Sequence, residues 1–174
     1  MPHRNEVVLV DEAGTAVGVS EKRAAHEAPG LLHLAFSVFL FRQDGLMLVQ
    51  QRSVLKYHFP GIWANACCSH PGPGEDLRSS AERRVLEELG LECSLRPAGS
   101  FIYRAVDPVS GLVEHELDHV FVGLITASVL QPDPDEVEDW RFVEPDAVAC
   151  AGPAQGYAPW FGEACEIALR EWRG

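Results

Sequence analysis

Residues 75–91 read EDLRSSAERRVLEELGL. Leu77, Ala81, Val85 and Leu89 recur at every fourth position, which predicts a helix over 76–89 with one apolar stripe turned toward a core. Gly90 stands where a left-handed residue commonly ends a helix. The last turns carry Arg83, Arg84, Glu87 and Glu88. Carboxylates there offer hard oxygen ligands to Mg²⁺, an ion that often bridges protein carboxylate and substrate phosphate. The same residues also suit a solvated face with i,i+4 charge pairs such as Arg84 with Glu88. The helix alone leaves both readings open.

Outward from this helix the pattern is strand-rich. Val7 to Val10 reads as a short strand, and Glu21 to Ala28 as a brief helix stopped by Pro29–Gly30. Leu34 to Phe41 is an apolar, aromatic run that predicts a buried strand. Asp44–Gly45 turns it back into a strand over Leu46 to Gln51. Pro60–Gly61, Pro71–Gly72 and Pro73–Gly74 punctuate a long irregular segment. Further strands are predicted over Ser100–Ala105, Leu117–Ile125 and Val137–Val143, and a last helix from near Pro159 to Glu171. Strands and helices mix without a regular alternation, which favours an α+β fold with a mixed sheet over a doubly wound one.

The chain has 174 residues, suited to a single domain over 1–174 with a sizeable core. Its net charge of −12 opposes a broad nucleic-acid footprint, although a few converging cations suffice for a phosphate group. The five cysteines, two of them adjacent, do not suggest a secreted disulfide framework and point to reduced thiols in the cytoplasm. Cys93, Cys150 and Cys165 are expected to be buried or partly buried. The N-terminal MPHRNEVVLVDEAG lacks the features of a secretory signal, and no segment approaches a membrane span.

Three further clusters carry chemistry. WANACCSHP, from Trp63 to Pro71, sets Cys68 two residues before His70 in a Gly/Pro-rich loop. A thiol there can act as acid or base, or be an inert buried group. In Glu114-His115-Glu116, an extended backbone turns both carboxylates to one face and His115 to the other. That pairing is costly unless the carboxylates are solvated at a polar hairpin end or bound to metal. His26 and His33 are separated by a Pro-Gly break, so spacing does not make them a helical metal pair.

Glu75, Arg83 and the run Glu87-Glu88-Leu89-Gly90-Leu91 resemble the Nudix box, a loop–helix–loop that holds metal against a diphosphate. Ser69 replaces the usual Gly, and Arg84 replaces the usual Glu after the Arg, which weakens the expectation of ordinary diphosphate hydrolysis. Taken with EKRAAHEAPGLLHLAFS, QRSVLKYHFPGIWANACCSHP, FIYRA, GLVEHE and YAPW, the chain resembles the type 1 isopentenyl-diphosphate isomerases almost end to end. The resemblance implies a Nudix-like mixed β-sheet flanked by helices. It implies interconversion of isopentenyl and dimethylallyl diphosphate by protonation and deprotonation through a carbocation-like species, as part of isoprenoid biosynthesis.

It also implies roles. His26, His33, His70, Glu114 and Glu116 would form a site for Mn²⁺ or Zn²⁺. Glu88 would help hold Mg²⁺ on the substrate diphosphate, with Cys68 counted among the metal-site residues. Lys22, Arg52, Lys56 and Arg84 would contact the diphosphate, and Phe36 would line the pocket. Cys68 and Glu116 would exchange the protons, supported by Tyr103, while Trp160 faces the developing cation. His3, His58, His115, His119 and Asp118 have no role in this scheme. The partner is a small isoprenyl diphosphate; the oligomeric state is open, with a monomer expected. Competing readings are a Nudix diphosphohydrolase acting on a nucleotide-like substrate, and an inactive metal-binding module.

Overall fold

The computed structural model describes residues 5–126 and 129–174, so His3 lies outside the described residues. In chain order the elements are β1 (Glu6–Val10), β2 (Ala16–Glu21), α1 (Lys22–His26), β3 (His33–Phe41), β4 (Met47–Arg52), β5 (Trp63–Asn65), β6 (Cys67–Ser69) and α2 (Leu77–Leu89). There follow β7 (Leu95–Val106), β8 (Val113–Leu124), β9 (Val137–Val143), α3 (Pro145–Val148), a 3₁₀ turn over Pro153–Gln155 and α4 (Phe161–Arg173).

β3 is the spine. It runs parallel to β8, from His33 opposite Glu116 to Phe41 opposite Leu124, and antiparallel to β1, β4 and β6. β7 extends the sheet beyond β8, and β4 carries β5 and β9. The apolar run of β3, interrupted by Ser37, is explained by cover on both faces. Phe36, Val38 and Leu40 pack with Ala81, Val85 and Leu89 of α2. Phe39 and Phe41 pack with Phe161, Ala164 and Ala168 of α4. The mixed sheet with helices on both sides is the α+β architecture expected from the sequence.

The predicted stripe of α2 holds: Ala81, Val85 and Leu89 are buried. Asp76 caps the helix, accepting from the Ser79 amide at 2.9 Å, and Gly90 ends it at φ 67°. Several elements depart from the sequence expectation. β2 went unread because its side chains are almost all exposed and show no alternation. The irregular segment contains β5 and β6, each three residues long and too short for a periodic signal. α4 begins at Phe161, just after Trp160, and continues to Arg173.

Candidate active site

The WANACCSHP segment makes a tight edge against β3. β6 pairs antiparallel to it, with Ser37 opposite Cys68 and Val38 opposite Cys67. Alternation then separates the two thiols. Cys67 is fully buried in the α2-side core, whereas Cys68 packs toward the α4 side and opens onto a cleft.

Around Cys68 the hydrogen-bond directions are fixed by one amide. Asn65, wholly buried, donates its Nδ2 hydrogens to the carbonyls of Val38 at 3.1 Å and Cys67 at 2.9 Å. Its Oδ1 is thereby left facing Cys68 and accepts from the thiol at 3.0 Å. Trp160 Nε1 donates both to that Oδ1 and to Cys68 Sγ, each at 3.2 Å. Ser37 Oγ lies 3.7 Å from Cys68 Sγ and donates to the buried Asp118 carboxyl at 2.7 Å. Burial, reinforced by Asp118 and opposed by Arg52, pushes the Cys68 thiol up to about 12.

The second half of the site comes from β8. Glu114 and Glu116 point to one face while His115 turns away and donates from Nδ1 to the Gly30 carbonyl at 3.0 Å. The carboxylates are not solvated, being 3% and 6% exposed. They meet His26 from the end of α1, His33 from the start of β3 and His70 from the loop after β6. The ligand atoms of these five residues all lie within 4.8 Å of one another. The Pro-Gly break that disqualified a helical pair is what brings His26 and His33 together, at 4.7 Å between ring centroids.

Protonation geometry shows that this donor set fits a cation. His26 Nδ1 is 2.6 Å from the Lys22 carbonyl, and His33 Nδ1 is 2.7 Å from the Leu31 carbonyl. A carbonyl oxygen only accepts, so each Nδ1 carries a hydrogen and each Nε2 is the ring atom turned into the cluster. Those nitrogens face carboxylate oxygens: His26 Nε2 is 3.1 Å from Glu114 Oε2, and His33 Nε2 is 3.5 Å from Glu116 Oε1. Lone pairs aimed at one another in a buried site repel unless a proton or metal ion stands between them. Three imidazoles and two carboxylates are a donor set suited to a divalent metal ion.

Glu116 divides its two oxygens. Oε1 faces His33 and His70, the latter at 2.7 Å, and Oε2 accepts from the Tyr103 hydroxyl at 2.6 Å. Burial and then the neighbouring Glu116 push the Tyr103 hydroxyl well above its ordinary value, so it stays a donor. Burial, with Glu114 adjacent, raises Glu116 as well.

The same cleft is lined by Lys22, Arg52, Lys56 and Arg84. Lys22 Nζ lies over the Tyr57 ring at 5.9 Å. Arg52 donates to the Phe59 carbonyl at 3.0 Å and lies over the Trp160 ring at 5.7 Å. Lys56 and Arg84 both reach Glu136, and Arg84 also bonds Glu87 and the buried Glu88. The charge pair read from the α2 sequence is therefore real, and it sits at the cleft. Burial raises Glu88 above its ordinary value.

Several expectations need correction. Phe36 does not line the cleft; it is 1% exposed in the α2-side core, because its neighbour Ser37 takes the other face of β3. The Cys68 thiol is outside the five-residue ligand group and faces Asn65, Ser37 and Trp160 instead. Cys150 is exposed, not partly buried. His58, left without a role, lies in the cleft with Nε2 2.6 Å from Glu114 Oε1. Glu136, Asn65 and Asp118 were likewise unassigned. Asn65 had a local signal, its place in the WANACC segment; His58 and Glu136 had none.

A sheet gripping one helix whose charged end borders a metal-competent cleft defines the class. Residues 31–161 match the NUDIX domain, and the chain belongs to that family. A crystal structure of DR0079 from Deinococcus radiodurans superposes with a TM-score of 0.71 at 20% identity, covering 95% of this chain and 98% of that one. A MutT protein from Methanosarcina mazei superposes at 0.67, with 18% identity and coverage of 82% and 96%.

The curated relatives narrow the class. An isopentenyl-diphosphate Δ-isomerase of Streptomyces coelicolor is 48% identical over 170 residues, 95% of this chain and 86% of that protein. One of Nocardia farcinica is 47% identical over 169 residues, 96% of each. Within the NUDIX proteins, the chain belongs to the isopentenyl-diphosphate Δ-isomerases.

Proposed function

We propose that Cys68 and Glu116 handle the two protons by which this enzyme interconverts isopentenyl and dimethylallyl diphosphate. Toward the dimethylallyl isomer, a proton is added to the terminal alkene carbon, leaving positive charge at the tertiary carbon. A different proton then leaves C2, its C–H electron pair becoming the new double bond. One proton enters and one departs, so no external reductant or oxidant is needed. The observation that carries the reading is that Cys68, Glu116, Tyr103 and Trp160 all line one cleft with the four cations. The thiol donating to Asn65 Oδ1 supports Cys68 as the proton-bearing partner.

The divided oxygens of Glu116 support its double duty. Oε1 belongs to the cluster, while Oε2, bonded to Tyr103, is the oxygen free to take or return a proton. The ring of Trp160, 3% exposed, supplies a negative face for the cationic centre and helps keep water from it. Lys22, Arg52, Lys56 and Arg84 hold the diphosphate, trading contacts with Glu136 and backbone carbonyls for phosphate oxygens.

His26, His33, His70, Glu114 and Glu116 would hold Zn²⁺ or Mn²⁺, and Glu88 would take part in holding Mg²⁺. When bound, these ions would fix the Glu116 carboxylate and neutralise diphosphate charge. All five cysteines are free thiols, which supports a reducing, cytoplasmic setting.

The test is incubation of purified protein with isopentenyl diphosphate and Mg²⁺, followed by product identification. Dimethylallyl diphosphate is the expected product. Release of phosphate or isopentenyl monophosphate instead would show a hydrolase, and metal binding without turnover an inactive module.

A further inference from the structure

His58 lies on the loop between β4 and β5, two residues after Lys56, and is 6% exposed. Its carbonyl accepts from Arg52 Nη2 at 3.1 Å, which fixes the loop beneath the ring. Nε2 is 2.6 Å from Glu114 Oε1, with Arg52 Nη2 the more distant neighbour at 3.5 Å, and Nδ1 is buried without a hydrogen-bond partner among the described residues. A carboxylate oxygen only accepts, so this contact requires the hydrogen on Nε2. His26 and His33 differ in having their Nδ1 hydrogens spent on backbone carbonyls, with Nε2 turned into the cluster. His58 is also outside the five residues whose ligand atoms gather within 4.8 Å.

Glu114 thus has an imidazole at each oxygen. His26 faces Oε2 from inside the cluster, and His58 faces Oε1 from the substrate loop. We propose that His58 is a positioning residue of the metal centre: it donates from Nε2 to Glu114 Oε1, keeps Oε2 aimed at the cluster and thereby raises affinity for a divalent cation. The proposal rests on the metal-site reading above. Its physical basis is general. A ligating carboxylate keeps its aim only if its other oxygen is tied, and loss of such an outer partner weakens metal binding by about 10–100-fold. His58 is placed as a partner of Glu114 and not as a sixth ligand because it falls outside the group of ligand atoms that gather within 4.8 Å of one another.

The test measures metal affinity, not turnover. Protein stripped with a chelator is titrated with Zn²⁺ against a chromophoric competitor. His58→Ala is expected to bind about 10–100-fold more weakly than the unaltered chain. His58→Phe, which keeps ring volume without the donor, takes its place should the alanine variant not fold. His58→Gln, whose amide N–H can reach the same oxygen, is expected to recover much of the loss. X-ray absorption of the zinc-loaded protein is expected to count the same number of imidazoles in His58→Gln as in the unaltered chain. Unchanged affinity in both donor-less variants overturns the proposal, as does one imidazole fewer around zinc in His58→Gln. Failure of the unaltered chain to bind any divalent ion overturns the metal-site reading itself, and this inference with it.

Discussion

The thiol of Cys68 sits between an acceptor, Asn65 Oδ1, and a donor, Trp160 Nε1, and both are fixed by partners of their own. Its neighbour Cys67 fills the core beneath α2, with Glu88 within hydrogen-bonding reach, while Asn65 Oδ1 and Trp160 Nε1 turn to Cys68. Cys68→Ala is therefore expected to cut isomerisation by about 10²–10⁴-fold, the usual contribution of a positioned acid or base. Cys67→Ala should keep turnover near the original and lose about 1 kcal/mol of stability, as expected for a small buried truncation. Steady-state rates and urea unfolding on the two variants check this; equal rates would remove Cys68 from the chemistry. Phe36 makes the converse case. Its burial against α2 predicts that Phe36→Ala loses about 3–5 kcal/mol in denaturant unfolding, with KM unchanged in whatever fraction stays folded. A raised KM at unchanged stability would return Phe36 to the pocket. Much of the site was legible because WANACCSHP and Glu114-His115-Glu116 are contiguous strings. His58 was not, since 56 positions separate it from Glu114 and only the path of the loop after β4 unites them.

Among the elements, α2 was the easiest to read and is the most tightly specified. Its four-residue period, the Asp76 cap and Gly90 all agree, and such agreement across levels is what makes a segment fold one way. Gly90 has a second reason to be glycine. A Cβ there would stand 2.8 Å from Gln131 Cβ and 3.0 Å from the Gln131 backbone oxygen, on top of the strain of φ 67°. Gly90→Ala is expected to cost about 1–2 kcal/mol from the backbone conformation alone, with more for the clash. Gly45→Ala, at φ 88° but with nothing within 4 Å, should cost only the backbone part. Thermal unfolding of the pair checks the difference; identical losses would mean that the contact to Gln131 relaxes freely. β5 and β6 illustrate the limit of sequence pattern. Each is too short to show alternation, and both owe their strand form to pairing, with β4 and β3 respectively. β2 shows the other limit: with little burial, nothing in its side chains marks a face.

At the scale of the molecule, a chain of net charge −12 has gathered four cations onto one cleft and balanced them with Glu88 and Glu136. The neighbouring His/Glu cluster draws on α1, β3, the loop after β6, and β8, spanning His26 to Glu116. A cation bound there would join segments that the unfolded chain cannot bring together. It would therefore stabilise the native state alone, by RT ln(1 + [M]/Kd), or about 2.7 kcal/mol at a hundredfold excess over Kd. For a chain of this length each kcal/mol moves Tm by about 2–4 °C. Zn²⁺ or Mn²⁺ at that excess is then expected to raise Tm by about 5–11 °C over protein kept in a chelator. The shift should grow with the logarithm of metal concentration, since mass action rather than a fixed contact sets it. Mg²⁺ alone should do less, because it favours oxygen over imidazole ligands and dehydrates reluctantly. Scanning calorimetry across a metal titration reads both the size and the slope. A Tm that does not move between chelator and saturating Zn²⁺ would mean that the facing lone pairs of His26 and Glu114 are bridged by a proton and not by a metal.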